Sequence, residues 1–173
     1  MAMKLICLTG AESTGKSSLA LQLAGHFNTY SLAEYAREYL EAFGPTYVYE
    51  DLSSMAKEQQ RRILKFAKIS KPIGFLDTDL LTLMIWSKYV FNRVDPWLEE
   101  AFQQKKIDLY LLCKPDIAWE ADPLREHPTK REQIHSIYEN ELLRRQLPFE
   151  IVQGEGEARF SSALNAIEES KLF

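Results

Sequence analysis

The sequence predicts an α/β fold, a five-stranded parallel sheet with helices on both faces. Three observations carry that expectation. Short apolar runs alternate with longer stretches of helical periodicity along the whole chain. The apolar runs are continuous rather than alternating, as suits strands buried on both faces. No linker, repeat or low-complexity stretch divides the 173 residues, so a single domain over 1–173 is expected.

The elements follow in order. Lys4-Leu5-Ile6-Cys7-Leu8-Thr9 reads as the first strand. Residues 17–27 form a helix, with Leu19, Leu23 and Phe27 on one face at four-residue spacing. Residues 29–32 form a short second strand. Residues 34–43 are helical and stop at the turn signal Gly44-Pro45. Asp51 or Ser53 caps a further helix running to residue 70, and Pro72 ends it. Ile73-Gly74-Phe75-Leu76 is the third strand. Residues 79–91 are apolar on nearly every face and read as a buried helix. Asp95-Pro96 opens a short helix holding Trp97, Leu98 and Phe102, and Leu109–Cys113 is the fourth strand. Residues 114–130 carry three prolines and many charges. They form a loop long enough to act as a lid, taken here as 114–131. A helix with Ile134, Ile137, Tyr138 and Leu142 on one face precedes the fifth strand, Phe149–Val152. The last helix places Phe160, Ala163, Leu164 and Ile167 at i, i+3, i+4 and i+7.

Composition narrows the function. A net charge of −4 lacks the basic surplus of a general nucleic-acid binder. No apolar run approaches the roughly 18 residues that span a bilayer, and Leu5–Leu8 is too short for a signal-peptide core. Cys7 and Cys113 are the only cysteines, form no CxxC pair and fall on core strands, so they read as small apolar residues. A reduced, cytoplasmic protein with no nucleic-acid or membrane partner is expected. His26, His127 and His135 share no spacing and read as surface or helix-end residues, with His127 in the lid; Lys105 and Lys106 read as a solvated helix end.

The strongest motif is Gly10-Ala11-Glu12-Ser13-Thr14-Gly15-Lys16-Ser17, which fits G-x-x-x-x-G-K-[ST] between a strand and a helix. Such a loop turns backbone N–H groups toward phosphate oxygens, and the helix N-terminus adds partial positive charge. Gly10, Glu12, Ser13, Thr14, Gly15, Lys16, Ser17 and Ser18 are therefore the expected ATP-binding residues. Lys16 reaches the β- and γ-phosphates and Ser17 ligates Mg²⁺. The fold is accordingly a P-loop NTPase three-layer sandwich. In Phe75-Leu76-Asp77-Thr78-Asp79, an acidic residue ends a buried strand beside the ligand crevice. Asp77 or Asp79 holds a metal-bound water or accepts a substrate proton, and the other, more readily Asp79, caps the following helix. Glu34, Arg37 and Glu38 line one side of a helix start, as a ribose or phosphate site or as a solvated charged face. Asp116, Trp119, Asp122 and Arg125 recur at steps of three, close to a helical turn, so their side chains are expected to project together. An arginine on such a lid offsets charge on a transferring phosphoryl group.

Taken in order, GAESTGKSS, EYAREY, FLDTD and the D-x-x-W-x-x-D-x-x-R loop resemble the ribosylnicotinamide kinase domain of the bacterial NAD-biosynthesis regulators, within the P-loop kinase-like ATPases. The likeness spans nearly the whole chain. It implies transfer of the ATP γ-phosphate, with Mg²⁺, to the 5′-hydroxyl of nicotinamide riboside. It also supports Glu34, Arg37, Trp119 and Arg125 as site residues; the expected substrate-binding set is Glu34, Tyr35, Arg37, Trp119 and Asp122, and the expected catalytic set is Lys16, Asp77, Asp79 and Arg125. Two departures bear on this. The regulators carry an adenylyltransferase domain ahead of the kinase, whereas this sequence opens at the first strand, so it is not expected to complete NAD synthesis alone. Where the family has a tryptophan that sandwiches the nicotinamide ring, this chain has Ala33, and Tyr35, Trp119 or another aromatic is expected to compensate. The competing readings are a kinase for another nucleoside or small alcohol, a regulatory ATP-binding protein, and a GTPase-like switch. The last is disfavoured because Cys113 replaces the Asn of an N-K-x-D element and Leu80 replaces the glycine expected after Asp77.

Overall fold

The computed structural model describes residues 2–104 and 106–172, so Lys105 lies outside the described residues, while Lys106 is exposed. The five strands are β1 (Lys4–Thr9), β2 (Ser31–Leu32), β3 (Ile73–Asp77), β4 (Leu109–Cys113) and β5 (Phe149–Val152). They pair in parallel in the order β2-β3-β1-β4-β5. The helices are α1 (Lys16–His26), α2 (Tyr35–Phe43), α3 (Tyr49–Phe66), α4 (Leu80–Phe91), α5 (Pro96–Gln104), α6 (Arg131–Arg144) and α7 (Glu157–Glu169).

The central strand explains the three layers. Ile6 is in register with Phe75 and Leu109, and its neighbour Cys7 with Leu76 and Tyr110. Successive side chains point to opposite faces. Ile6, Phe75 and Leu109 therefore pack with Leu19 and Leu23 of α1 and Ala163 and Ile167 of α7. Cys7, Leu76 and Tyr110 pack on the other face with Ile63 of α3, Leu81 and Ile85 of α4, and Tyr138 of α6. Both faces are dry, which is why the strands read as unbroken apolar runs. A third cluster, formed by Leu52 and Met55 of α3, Leu83 and Met84 of α4 and Leu98 of α5, lies beyond the sheet edge.

The differences from the sequence reading are local. The helix expected to start at Asp51 or Ser53 starts at Tyr49. Asp51 sits inside its first turn, where its Oδ2 accepts the Val48 N–H at 2.8 Å, closing the helix end from within. His135 is not on the surface. It is 6% exposed with Nδ1 unpartnered, because it shares the inward stripe of α6 with Tyr138 and Leu142 at i+3 and i+7. Cys7 and Cys113 are free and buried. Among the described residues no helix is long and apolar enough to cross a membrane.

α1, which follows β1, lies on one face of the sheet, and α4, which follows β3, lies on the other. The chain thus diverges at the carboxyl ends of adjacent strands, and that divergence opens a crevice.

Candidate active site

The crevice is a cleft of about 390 Å³, within the usual size for small-molecule sites. Its floor is the loop from Gly10 to Ser18. Gly10 has φ 127°, and a Cβ there would lie 2.9 Å from the Cys113 carbonyl oxygen, so only glycine lets β1 leave the sheet against β4. Gly15, at φ 72°, turns the chain into α1 in the left-handed region. The Lys16 ammonium donates to the carbonyls of Ala11 at 2.6 Å and Gly10 at 3.2 Å. Thr14 is buried and ties the loop to itself, its hydroxyl donating to Ala11 O at 2.9 Å. The side chains of Glu12 and Ser13 turn to the lid, so what these two residues present to the floor is backbone.

From this floor the cleft runs both ways. Toward β4 and β5 its wall is Ile117, Glu155, Gly156 and Arg159. Arg159 is buried and knits three segments: it donates to Thr14 O at 3.0 Å, Lys114 O at 3.0 Å and Gly154 O at 2.8 Å, and pairs with Asp116. Toward β2 and β3 the wall holds Glu34, Arg37, Asp77 and Thr78 against an apolar surface of Leu52, Met55, Leu83, Tyr47 and Trp86.

The two strand-end aspartates part here. Asp79 caps α4: its Oδ1 accepts the Leu81 N–H at 3.1 Å and its Oδ2 accepts the Tyr110 hydroxyl at 2.7 Å. It stands outside the cleft wall, and burial raises its carboxyl to about 6. Asp77 lies in the wall, 7% exposed, with Oδ1 lacking any partner. Between them Thr78 has φ 66°, an outlier for a β-branched residue of the kind found at functional sites. That turn lets its hydroxyl donate to Glu34 Oε1 at 3.2 Å. The Glu34 carboxyl is raised above its ordinary value, first by burial and then by the charge of Asp77, while Lys16 nearby pulls the other way.

Among the described residues no three His, Cys, Asp or Glu side chains gather into a metal cluster. The unpartnered Asp77 oxygen and the exposed Ser17 hydroxyl nevertheless fit Mg²⁺, which takes one or two protein oxygens and fills its shell with phosphate and water.

The lid does not project its residues as one row, because it is not helical. Asp116 faces Arg159. Trp119 packs under the Arg131 guanidinium at 5.7 Å, outside the cleft wall. Asp122 also stands outside; it pairs with Arg37 at 3.1 Å and accepts the Leu124 N–H at 2.9 Å, joining lid to α2. Only Arg125 of the four lines the cleft, donating to Glu120 O at 2.6 Å and Ser13 Oγ at 3.4 Å. Tyr35 is likewise outside. Its ring lies under the Arg62 guanidinium at 4.4 Å, and its N–H donates to Gln59 Oε1 at 2.9 Å, while Ala36, Arg37 and Leu40 take the cleft side of α2.

The family model described as an AAA domain matches residues 5–159. The chain belongs to that family. Within it, the chain is 31% identical over 127 residues to the trifunctional NAD biosynthesis/regulator protein NadR of Escherichia coli K12, 71% of this chain and 31% of that protein. It superposes on the crystal structure of NadR protein in complex with NR with TM-score 0.83 and 25% identity, covering 97% of this chain and 49% of that one. Deoxyadenosine kinase from M. mycoides shares the fold at TM-score 0.67 and 13% identity, with 95% of this chain and 99% of that chain covered. The chain thus spans about a third of the curated relatives it matches. The resemblance to the NAD-biosynthesis regulators and the P-loop kinase fold are both borne out.

Several cleft residues of this AAA-domain chain carry little signal in the sequence. Trp86 falls in a helix that is apolar all round, which gives no periodic sign of which side meets a cleft. Tyr47 sits in a turn with no pattern at all. Arg159 had a signal: Gly154-x-Gly156 follows a strand and opens a helix, as Gly10 and Gly15 do.

Proposed function

We propose that this chain is an ATP-dependent kinase whose acceptor is a nucleoside, most specifically nicotinamide riboside. The observation that carries this reading is the continuity of the cleft. One hollow joins the phosphate loop to a pocket with two carboxylates on one side and aromatic and apolar side chains on the other. ATP fits with its base toward Ile117 and Gly156 and its γ-phosphate at Lys16. The acceptor then lies toward β2 and β3. Trp86 and Tyr47 supply the flat apolar surface that Ala33, exposed and outside the cleft wall, does not. The likeness to NadR, one structure of which holds NR, supports that acceptor over other nucleosides.

The roles follow from the geometry. Glu34 accepts the proton of the attacking hydroxyl, since its raised carboxyl is better matched to neutral pH than an ordinary glutamate. Lys16 and Arg125 offset charge on the phosphoryl oxygens, and the lid keeps water out. Mg²⁺, when bound by Ser17 and Asp77, supplies charge neutralisation at the β- and γ-oxygens. Two free buried thiols suit the cytoplasm.

The test offers nicotinamide riboside beside adenosine, cytidine, thymidine and their deoxy forms, with ATP and Mg²⁺. Fastest transfer to nicotinamide riboside is expected. Transfer to another nucleoside alone overturns the acceptor, and ATP turnover indifferent to every acceptor overturns the kinase.

A further inference from the structure

Two side chains of the phosphate loop, Glu12 and Ser13, bond to the lid. The Glu12 carboxylate faces away from the floor, and its Oε2 accepts two lid N–H groups, from Glu126 at 3.1 Å and His127 at 3.2 Å. Ser13 Oγ accepts the Glu120 N–H at 2.9 Å and a weaker bond from Arg125. The backbone of Ser13 also holds the lid, since Arg131 bridges Ser13 O at 2.9 Å and Ile117 O at 3.0 Å. What Glu12 holds is the turn just beyond Arg125. The imidazole of His127 in that turn lies edge-on to Trp86, ring centroids 5.3 Å apart, over the acceptor wall.

We propose that Glu12 is a positioning residue, a latch that shuts the lid so that Arg125 meets the transferring phosphoryl group and His127 seats on Trp86. The assignment of Arg125 and Trp86 rests on the kinase reading above; the latch itself does not. Carboxylate acceptors bind N–H groups more strongly than neutral ones, and two on one oxygen fix a turn against the loop. The cost to Glu12 is desolvation, which raises its carboxyl above the ordinary value while the two N–H groups and His127 oppose the rise. The latch couples lid closure to the loop that carries ATP, which limits idle hydrolysis when the lid is open.

Hydrogen exchange and kinetics on the full chain separate the possibilities. In Glu12→Ala, the amides of Glu126 and His127 exchange about 10-fold faster or more than in the wild type. Transfer in that variant falls roughly 10²-fold in kcat with the KM for ATP little changed, as misplacement rather than lost binding requires. ATP hydrolysed per acceptor phosphorylated rises. Glu12→Gln, which keeps an acceptor oxygen, restores amide protection and most of the rate. Unchanged exchange in Glu12→Ala overturns the latch. A Glu12→Gln variant that keeps amide protection yet loses as much rate as Glu12→Ala overturns it as well, since the charge would then act on the nucleotide directly. If the wild type transfers phosphate to no nucleoside, the kinase reading fails, and the exchange measurement still decides the latch.

Discussion

The two ends of the cleft are built in different ways. The phosphate end comes from nine consecutive residues, Gly10 to Ser18, and its geometry is backbone geometry. The acceptor end comes from the Glu34 region and α2, the Tyr47 turn, α3, β3 and α4, and its geometry is side-chain packing over a satellite cluster. The first is stiffened by the sheet and by Arg159. The second hangs on α2, which has no fully buried residue and is tied down by the Gln59–Tyr35 bond, the Tyr39–Asp51 bond, the Arg37–Asp122 pair and the Arg62–Glu38 pair. A site encoded by one short segment tolerates few replacements. A site assembled from five elements can draw its flat apolar surface from another of them, as Trp86 of α4 illustrates where position 33 is alanine.

Four measurements sharpen or break that contrast. The largest effect belongs to the phosphate end. Lys16→Ala is expected to lower transfer on the order of 10³-fold with a nearly unchanged unfolding midpoint, since the ammonium's partners are oxygens of the loop itself. Near-normal turnover by that folded variant would remove the phosphate loop from the chemistry.

Next come the aspartates, which straddle the two ends. Asp77→Asn should lower the rate about 10²-fold with little change in stability. Asp79→Ala should do the reverse, costing about 1–3 kcal/mol in urea unfolding by removing the α4 cap and stranding the Tyr110 hydroxyl. If Asp79→Ala is stable but inactive, their roles are exchanged.

At the acceptor end, Trp86→Ala should raise the acceptor KM roughly 5- to 150-fold by the scale of base–aromatic stacking, and leave ATP binding alone. Trp119→Ala should leave both nearly unchanged, because its ring packs on Arg131 outside the cleft. A KM effect from Trp119 and none from Trp86 would move the acceptor under the lid.

The smallest effect tests the charged face of α3, the helix on which α2 rests. The two arginines Arg61 and Arg62 hold the Glu58 carboxyl at about 2, below its ordinary 4.5. A depressed carboxyl contributes stability above its unfolded value and loses it as pH falls through the folded one. Wild-type stability should therefore decline between about pH 4.5 and 2 more steeply than that of Glu58→Gln. The pairs are largely at the surface, so the difference should stay below about 1 kcal/mol and shrink in salt. Equal slopes would mean that the Glu58 pairs add nothing to the stability of α3.

What the sequence by itself determined was everything carried by local order. The strands, the helices, the parallel sheet and the phosphate loop follow from periodicity, glycine placement and a motif whose parts are neighbours in the chain. The sequence left Asp77 and Asp79 as alternatives; the structure separates them, with Asp79 bonded to Leu81 and Tyr110 and Asp77 in the cleft wall. Only the tertiary structure decided which side chains share the cleft. Three-residue spacing promised that Trp119, Asp122 and Arg125 project together, but spacing orders side chains only inside a regular helix, and the lid is none. Tyr35 and Trp86 are each one aromatic in a helix until packing turns the first under Arg62 and the second toward the acceptor. The bonds from Glu12 to the lid cross more than a hundred residues of chain, a distance over which sequence carries no register and only the folded sheet brings the partners into reach.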